Sequence, residues 1–176
     1  MKRILIMILP ILIMAGCEPT PMSLNYSPSS ILTAKGNVEV GDFTYQPAIN
    51  KKVKPNQIRN TAIGCVIFEK NIDQIIKESI FKELRFVGIT PQSDNLVLRG
   101  DIVEFLIDDL GFSVKWTLEI EYRITDKSKN VEVYKSVKAI HKKTDKFSNP
   151  FGTLNEVIKL NIEELIKDSD FIKTIN

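Results

Sequence analysis

The sequence predicts an α+β domain. An antiparallel sheet, made of a three-strand meander with one or two strands ahead of it, carries two amphipathic helices packed on one face. Three stretches support this. "GFSVKWTLEIEYRIT" alternates without a break, with Phe112, Val114, Trp116, Leu118, Ile120, Tyr122 and Ile124 on one side and Ser113, Lys115, Thr117, Glu119, Glu121 and Arg123 on the other. Period-two alternation of that length marks an antiparallel strand with one solvated face. "NIDQIIKESIFKELRFVGI" and "TLNEVIKLNIEELIKD" instead repeat their apolar residues at helical spacing. One apolar sheet face and two apolar helix stripes bury one another in two layers.

The elements follow in order. In "NVEVGDFTYQP" Val38 and Val40 alternate in one phase and Phe43 and Tyr45 in the other, so a bulge is expected at Gly41-Asp42. "AINKKVKPNQIRN" is a polar loop, and "TAIGCVIF" is continuous enough for a short buried strand. The first helix has Asn71 in position to cap it, with Gln74 answering, and Gly88 for the left-handed stop. "NLVLRGDIVEFLI" reads as a strand and "DDLG" as a turn into the alternating strand. "DKSKN" then turns the chain into the return strand "VEVYKSVKAIHKK". The second helix opens with Thr153 and Glu156 in capping-box register.

Ahead of the domain lies "MKRILIMILPILIMAGCEPT". Lys2 and Arg3 precede an apolar run from Ile4 to Met14, shorter than the roughly 20 residues a spanning helix needs. Ala15-Gly16 before Cys17 completes the order of a bacterial lipobox. Residues 1–16 are therefore read as a signal peptide, Cys17 as the lipidated cysteine, and 37–176 as a single periplasmic domain. Stable anchoring takes more than one acyl chain, and a bacterial lipoprotein carries several. By resemblance to that class, Glu18 points to the outer membrane. Residues 18–36, rich in Pro, Ser and Thr, read as a tether that spans about 25 Å as a coil and at most ~60 Å extended. Alternatively, Tyr26 and Ile31-Leu32 pack on the body.

The chain has 24 basic and 22 acidic residues. Loss of Lys2 and Arg3 leaves the mature chain balanced, which gives no support to nucleic-acid binding. With Cys17 lipidated, Cys65 stands alone in an apolar setting, as a buried thiol with no disulfide to make.

Nothing in the sequence assembles a reaction. His141, the only histidine, lies in "HKKTDK" with no nucleophile motif nearby, and C-x-x-C, H-E-x-x-H and P-loop patterns are absent. Asp101, Glu104, Asp108 and Asp109 lack calcium-loop spacing, and the last two suit a turn. Seven lysines stand against three acidic residues between Asp126 and Lys146, which fits protection of an exposed strand edge better than a headgroup patch. Trp116 and Tyr122 are core, or line an apolar groove if the helices leave that face partly open.

The order of lipobox, Pro/Ser tether, strand, "IKESIFKELRFVGI", meander, capped helix and C-terminal "DSDFIKTIN" resembles the YajG-like family of poorly characterised bacterial outer-membrane lipoproteins. The resemblance lies in pattern more than identity, best at "ELRFVGI" and "FIK". It implies an α+β periplasmic domain without a known reaction, and only Cys17 carries over as a functional residue. A looser resemblance runs to lipoproteins that assist envelope ABC transporters. The expectation is a non-catalytic binding or structural module of the outer membrane. It would have no cofactor beyond the covalent lipid, a membrane contact through that lipid, and an envelope protein or phospholipid as partner. The alternative is an auxiliary of a lipid-transport system with an apolar groove.

Overall fold

A computed structural model describes residues 20–61 and 66–176. In chain order these form β1 (Glu39–Tyr45), the single turn α1 (Gln46–Ile49), β2 (Gln57–Asn60), β3 (Val66–Ile67), α2 (Ile72–Val87), β4 (Leu96–Asp108), β5 (Ser113–Asp126), β6 (Val131–Asp145), α3 (Pro150–Ile166) and α4 (Ser169–Ile175). Cys17 and Cys65 lie outside the described residues, as does half of the strand expected at "TAIGCVIF" (62–65).

β4, β5 and β6 make the expected antiparallel meander. Leu98 faces Ile124, Ile102 faces Ile120 and Ile107 faces Trp116 across β4 and β5. The expected all-antiparallel sheet needs correction on the other edge of β4, because β1 and β2 both run parallel to it, end to end along one long strand. The reason is connectivity. A helix between two strands returns the chain to the end where it started, so the strand that follows runs in the same direction. Here α2 supplies that return. The bulge expected at Gly41-Asp42 is present as a register shift between Val40 and Phe43.

The helices also differ from the expected pair. α2 packs on β1, and α3 lies beside α2 over β5 and β6. A further helix, α4, closes against α3 and β6. Their buried residues join the inner sheet face in one core that includes Ile76, Ile80, Leu84, Leu118, Ile120, Ile158, Leu165 and Phe171. Gly100 is one of the places where the core depends on having no side chain. A Cβ there would sit 2.7 Å from the Phe43 ring and 2.8 Å from the Glu121 carbonyl. That bare position lets Phe43 meet Tyr122 edge-on at 6.1 Å.

The caps are not all those the sequence suggests. Asn71 occupies the N-cap of α2 but its side chain makes no capping bond. Gly88 ends α2 with φ of 102°, and the Ile89 amide closes on the Leu84 carbonyl at 2.9 Å. α3 begins three residues earlier than Thr153. Asn149 accepts from the amides of Phe151 and Gly152, with Pro150 at the first helical position, where its missing amide costs nothing. Asp168 caps α4 in the same way, through Asp170 and Phe171.

Of the two readings of residues 18–36, the described part (20–36) takes packing on the body. Met22 pairs by backbone with Ile67 and Glu69. Tyr26 and Ser30 are buried, and Leu24, Leu32 and Ala34 pack against the core, whereas Ile31 stays in solvent. Ala34 N–H donates to the Val87 carbonyl and Asn37 N–H to the Ile175 carbonyl, each at 2.9 Å. The segment is a strap along α2, running from the end of the domain that holds the β4–β5 turn to the opposite end.

Candidate functional site: the Trp116 pocket and the polar sheet face

The middle of the strap, from Tyr26 to Ser30, is held by one buried carboxylate. Glu83, on the inner side of α2, is fully buried. It accepts the Tyr26 hydroxyl and the amides of Ser30 (2.8 Å) and Ser29 (3.3 Å). Burial pushes the Tyr26 phenol well up, and the hydrogen bond to Glu83 adds to this, so Tyr26 remains a donor. A charged residue in the midst of a helix pattern gives no hint in sequence that it points inward, and Glu83 was not singled out there.

Trp116 and Tyr122 share the inner face of β5 but do not line one groove. They are six residues apart, about 20 Å along the strand. Tyr122 is sealed in the core. Its hydroxyl donates to Asn161 Oδ1 at 2.8 Å, and Asn161 Nδ2 donates to the carbonyls of Lys138 (2.8 Å) and Leu118 (3.2 Å). This amide, fully buried on α3, ties helix to sheet with its polar atoms satisfied. Trp116 is also largely buried and donates to Thr144 Oγ1 at 2.9 Å. Its ring forms part of the wall of a pocket of about 260 Å³, together with Met22, Ile107, Val114, Phe151 and Leu154, with Lys146 at the pocket. That volume is just under the usual range of small-molecule sites, about 300–1,000 Å³. The pocket opens at the end of the sheet where β4 turns into β5 and β6 leads to α3.

The other face of the sheet is solvated and largely polar. Arg123 binds both Asp101 and Glu121 (2.7 Å to the latter), Lys135 joins Glu121 at 3.1 Å, and Arg59 holds Glu104 at 2.8 Å. Burial raises the Asp101 carboxyl, but hydrogen bonds from Arg123 and Gln46 outweigh it and leave the group below its ordinary value. The four acidic residues noted in sequence therefore do not converge. Asp101 and Glu104 are paired on this face, Asp108 accepts from Thr61 Oγ1, and Asp109 is buried against Lys146 at 3.4 Å. No cluster of three or more metal-ligating residues exists among the described residues. His141 is exposed on this face with Thr117 Oγ1 3.3 Å from its Nδ1.

β6 forms an outer edge of the sheet. Six of the seven lysines between Asp126 and Lys146 are ion-paired, with Glu39, Asp126, Glu121, Asp168, Glu156 and Asp109. The stretch thus reads as a guarded strand edge rather than a free cationic patch. Between the lysines, Val131, Val133 and Val137 stand out in solvent. A broad groove along the outside of α2 is likewise lined with cations, of which Lys70 is paired to Glu78 and Lys77 to Asp42.

No family model matches the chain, and neither does any curated protein. Solved structures do share its fold. Protein XCC0632 from Xanthomonas campestris, described by the family model DUF330, superposes with a TM-score of 0.65 at 9% identity, covering 88% of this chain and 97% of that one. The hypothetical protein CT253 from Chlamydia trachomatis superposes with a TM-score of 0.55 at 11% identity, covering 81% and 100%. A minor lipoprotein from Acinetobacter baumannii reaches only 0.39 at 10% identity, over 64% and 89%, too slight a likeness to bear on function. At these identities the likeness is one of fold. The YajG-like resemblance therefore rests on the sequence pattern.

Proposed function

We propose that this chain is a bacterial envelope lipoprotein, anchored to the outer membrane through Cys17 and facing the periplasm, that works as a non-catalytic binding module for another envelope protein. The observation that carries the binding role is the contrast between the two sheet faces. The inner face is filled by helices and strap. The outer face and the β6 edge are uncovered by any described element, and they present ordered charges beside exposed valines. The paired charges and exposed valines of that face offer a partner protein complementary ion pairs and apolar contacts that select it. The anchor reading rests on the lipobox order alone.

The alternative, an auxiliary of lipid transport, draws on the Trp116 pocket. Its volume of about 260 Å³ gives that reading less support than a groove reaching from Trp116 to Tyr122 would. The test is native mass spectrometry of the acylated protein, extracted from its own membrane in mild detergent, beside fractionation of Cys17→Ser. A stoichiometric protein companion and release of the variant from membranes support the proposal. A bound phospholipid with no protein companion moves it to transport. A mature variant that stays membrane-bound removes the anchor.

A further inference from the structure

The strap changes what an anchor at Cys17 would do. Met22 lines the Trp116 pocket, at the end of the domain that carries the β4–β5 turn. Cys17 is five residues earlier, so it lies within about 18 Å of Met22 even on a fully extended chain. A free tether of the whole segment would have reached about three times as far and let the domain turn in any direction. With residues 22–37 packed down, the membrane must lie close to that one end.

That end is built for such a contact. Phe112 and Phe147 are wholly exposed, and Leu110 is 74% exposed. They come from two loops, the β4–β5 turn and the β6–α3 connection. Lys146 links these loops by donating to the Gly111 carbonyl at 3.3 Å and pairing with Asp109 at 3.4 Å. Phe151, 41% exposed, stands where the pocket opens beside them. Single exposed apolar residues are ordinary on a protein surface, but grouped ones at a loop-built tip call for a partner.

We propose that this end docks on the bilayer that holds the anchor, with Leu110, Phe112 and Phe147 set into the boundary between headgroups and acyl chains. Anchor and apolar tip then act as two linked membrane contacts, the second made intramolecular by the first. The domain stands with its strands running away from the membrane. The outer sheet face and the β6 edge point sideways, where an envelope partner would meet them. This inference rests on the lipoprotein reading.

The experiment reads depth. Lipidated full-length protein is reconstituted into vesicles of phosphatidylethanolamine and phosphatidylglycerol with brominated acyl chains, and flotation establishes anchoring. Tryptophan emission is compared for wild type, whose only tryptophan is Trp116, for Phe112→Trp and Phe147→Trp at the tip, and for Val137→Trp on the outer sheet face. The added tip fluorophores should shift to the blue and lose roughly half their emission, as expected about 5–10 Å into the interface. The Val137→Trp signal should match that in unbrominated lipid. Protein that floats while both tip variants emit like Val137→Trp overturns the docking and leaves the tip to a protein partner. Protein that does not float fails the anchor reading itself, and the docking falls with it.

Discussion

If one carboxylate pins the strap, removing a single hydroxyl should loosen it measurably. Tyr26→Phe keeps the ring in its buried seat and deletes only the donor to Glu83, so no cavity term enters. A hydrogen bond to a charged group contributes roughly 1.5–3 kcal/mol. For a chain of this size that corresponds to a fall in Tm of about 3–12 °C at about 2–4 °C per kcal/mol. Urea unfolding at pH 7 measures the global loss. Amide exchange at Ser30 and Ala34 measures release of the strap, which should quicken about 10–100-fold at about 1.4 kcal/mol per decade. Glu83→Ala strips the acceptor from Tyr26, Ser29 and Ser30 together and should cost more than Tyr26→Phe. Once it is made, adding Tyr26→Phe should cost little further, a coupling of the same roughly 1.5–3 kcal/mol. Losses that simply add to within about 0.5 kcal/mol would refute the reasoning, because each side chain would then act by its own packing alone.

Two further outcomes follow from the site geometry. Trp116→Ala should destabilise by roughly 3–5 kcal/mol in thermal or urea unfolding, since it empties a buried position against α3. Unchanged stability with altered lipid or partner binding would make Trp116 a site residue rather than core. The pH dependence should centre on Asp168. Burial pushes its carboxyl up, but hydrogen bonds from Lys138 (2.6 Å), Tyr134 (2.9 Å) and the first amides of α4 outweigh this and hold it well below the usual range. A carboxylate depressed on folding stabilises fully above its unfolded value, near 4, and loses that contribution as pH falls toward its folded value. Stability should therefore decline below about pH 5. Asp168→Asn should start less stable and decline less steeply. An unchanged slope in urea titrations between pH 6 and pH 3 would assign the effect to other groups.

Much of the architecture could be read directly from the residues, wherever a local period reported a local environment. The alternation from Val114 to Ile124 located β5 and its two faces, because a strand repeats every two residues whatever its neighbours are. Phe112, read as the first residue of the apolar face, instead lies in the turn before β5 and is exposed. The apolar stripe from Ile72 to Val87 and the glycine after it located α2 for the same kind of reason. The slip at Gly41-Asp42 announced a bulge that the structure contains. Local capping chemistry was less legible at α3, where Asn149 and Pro150 start the helix ahead of the capping-box pair that reads equally well on paper.

What composition and period do not encode is which elements meet. The parallel course of β1 and β2 beside β4 follows from where α2 returns the chain, a property of connection rather than of any strand's residues. The inward turn of Glu83 and the satisfied burial of Asn161 depend on partners some 53–57 and 23–43 residues away. The separation of Trp116 from Tyr122 into pocket wall and sealed core depends on where α3 lays its polar amide. The sequence alone determined one alternating sheet face and two amphipathic helices, because each is a short-range pattern. Only the tertiary structure decided that the segment from Met22 to Ala34 lies down on α2, because its hydrogen bonds to Glu83 and Val87 are made with a helix that begins some fifty residues further along the chain.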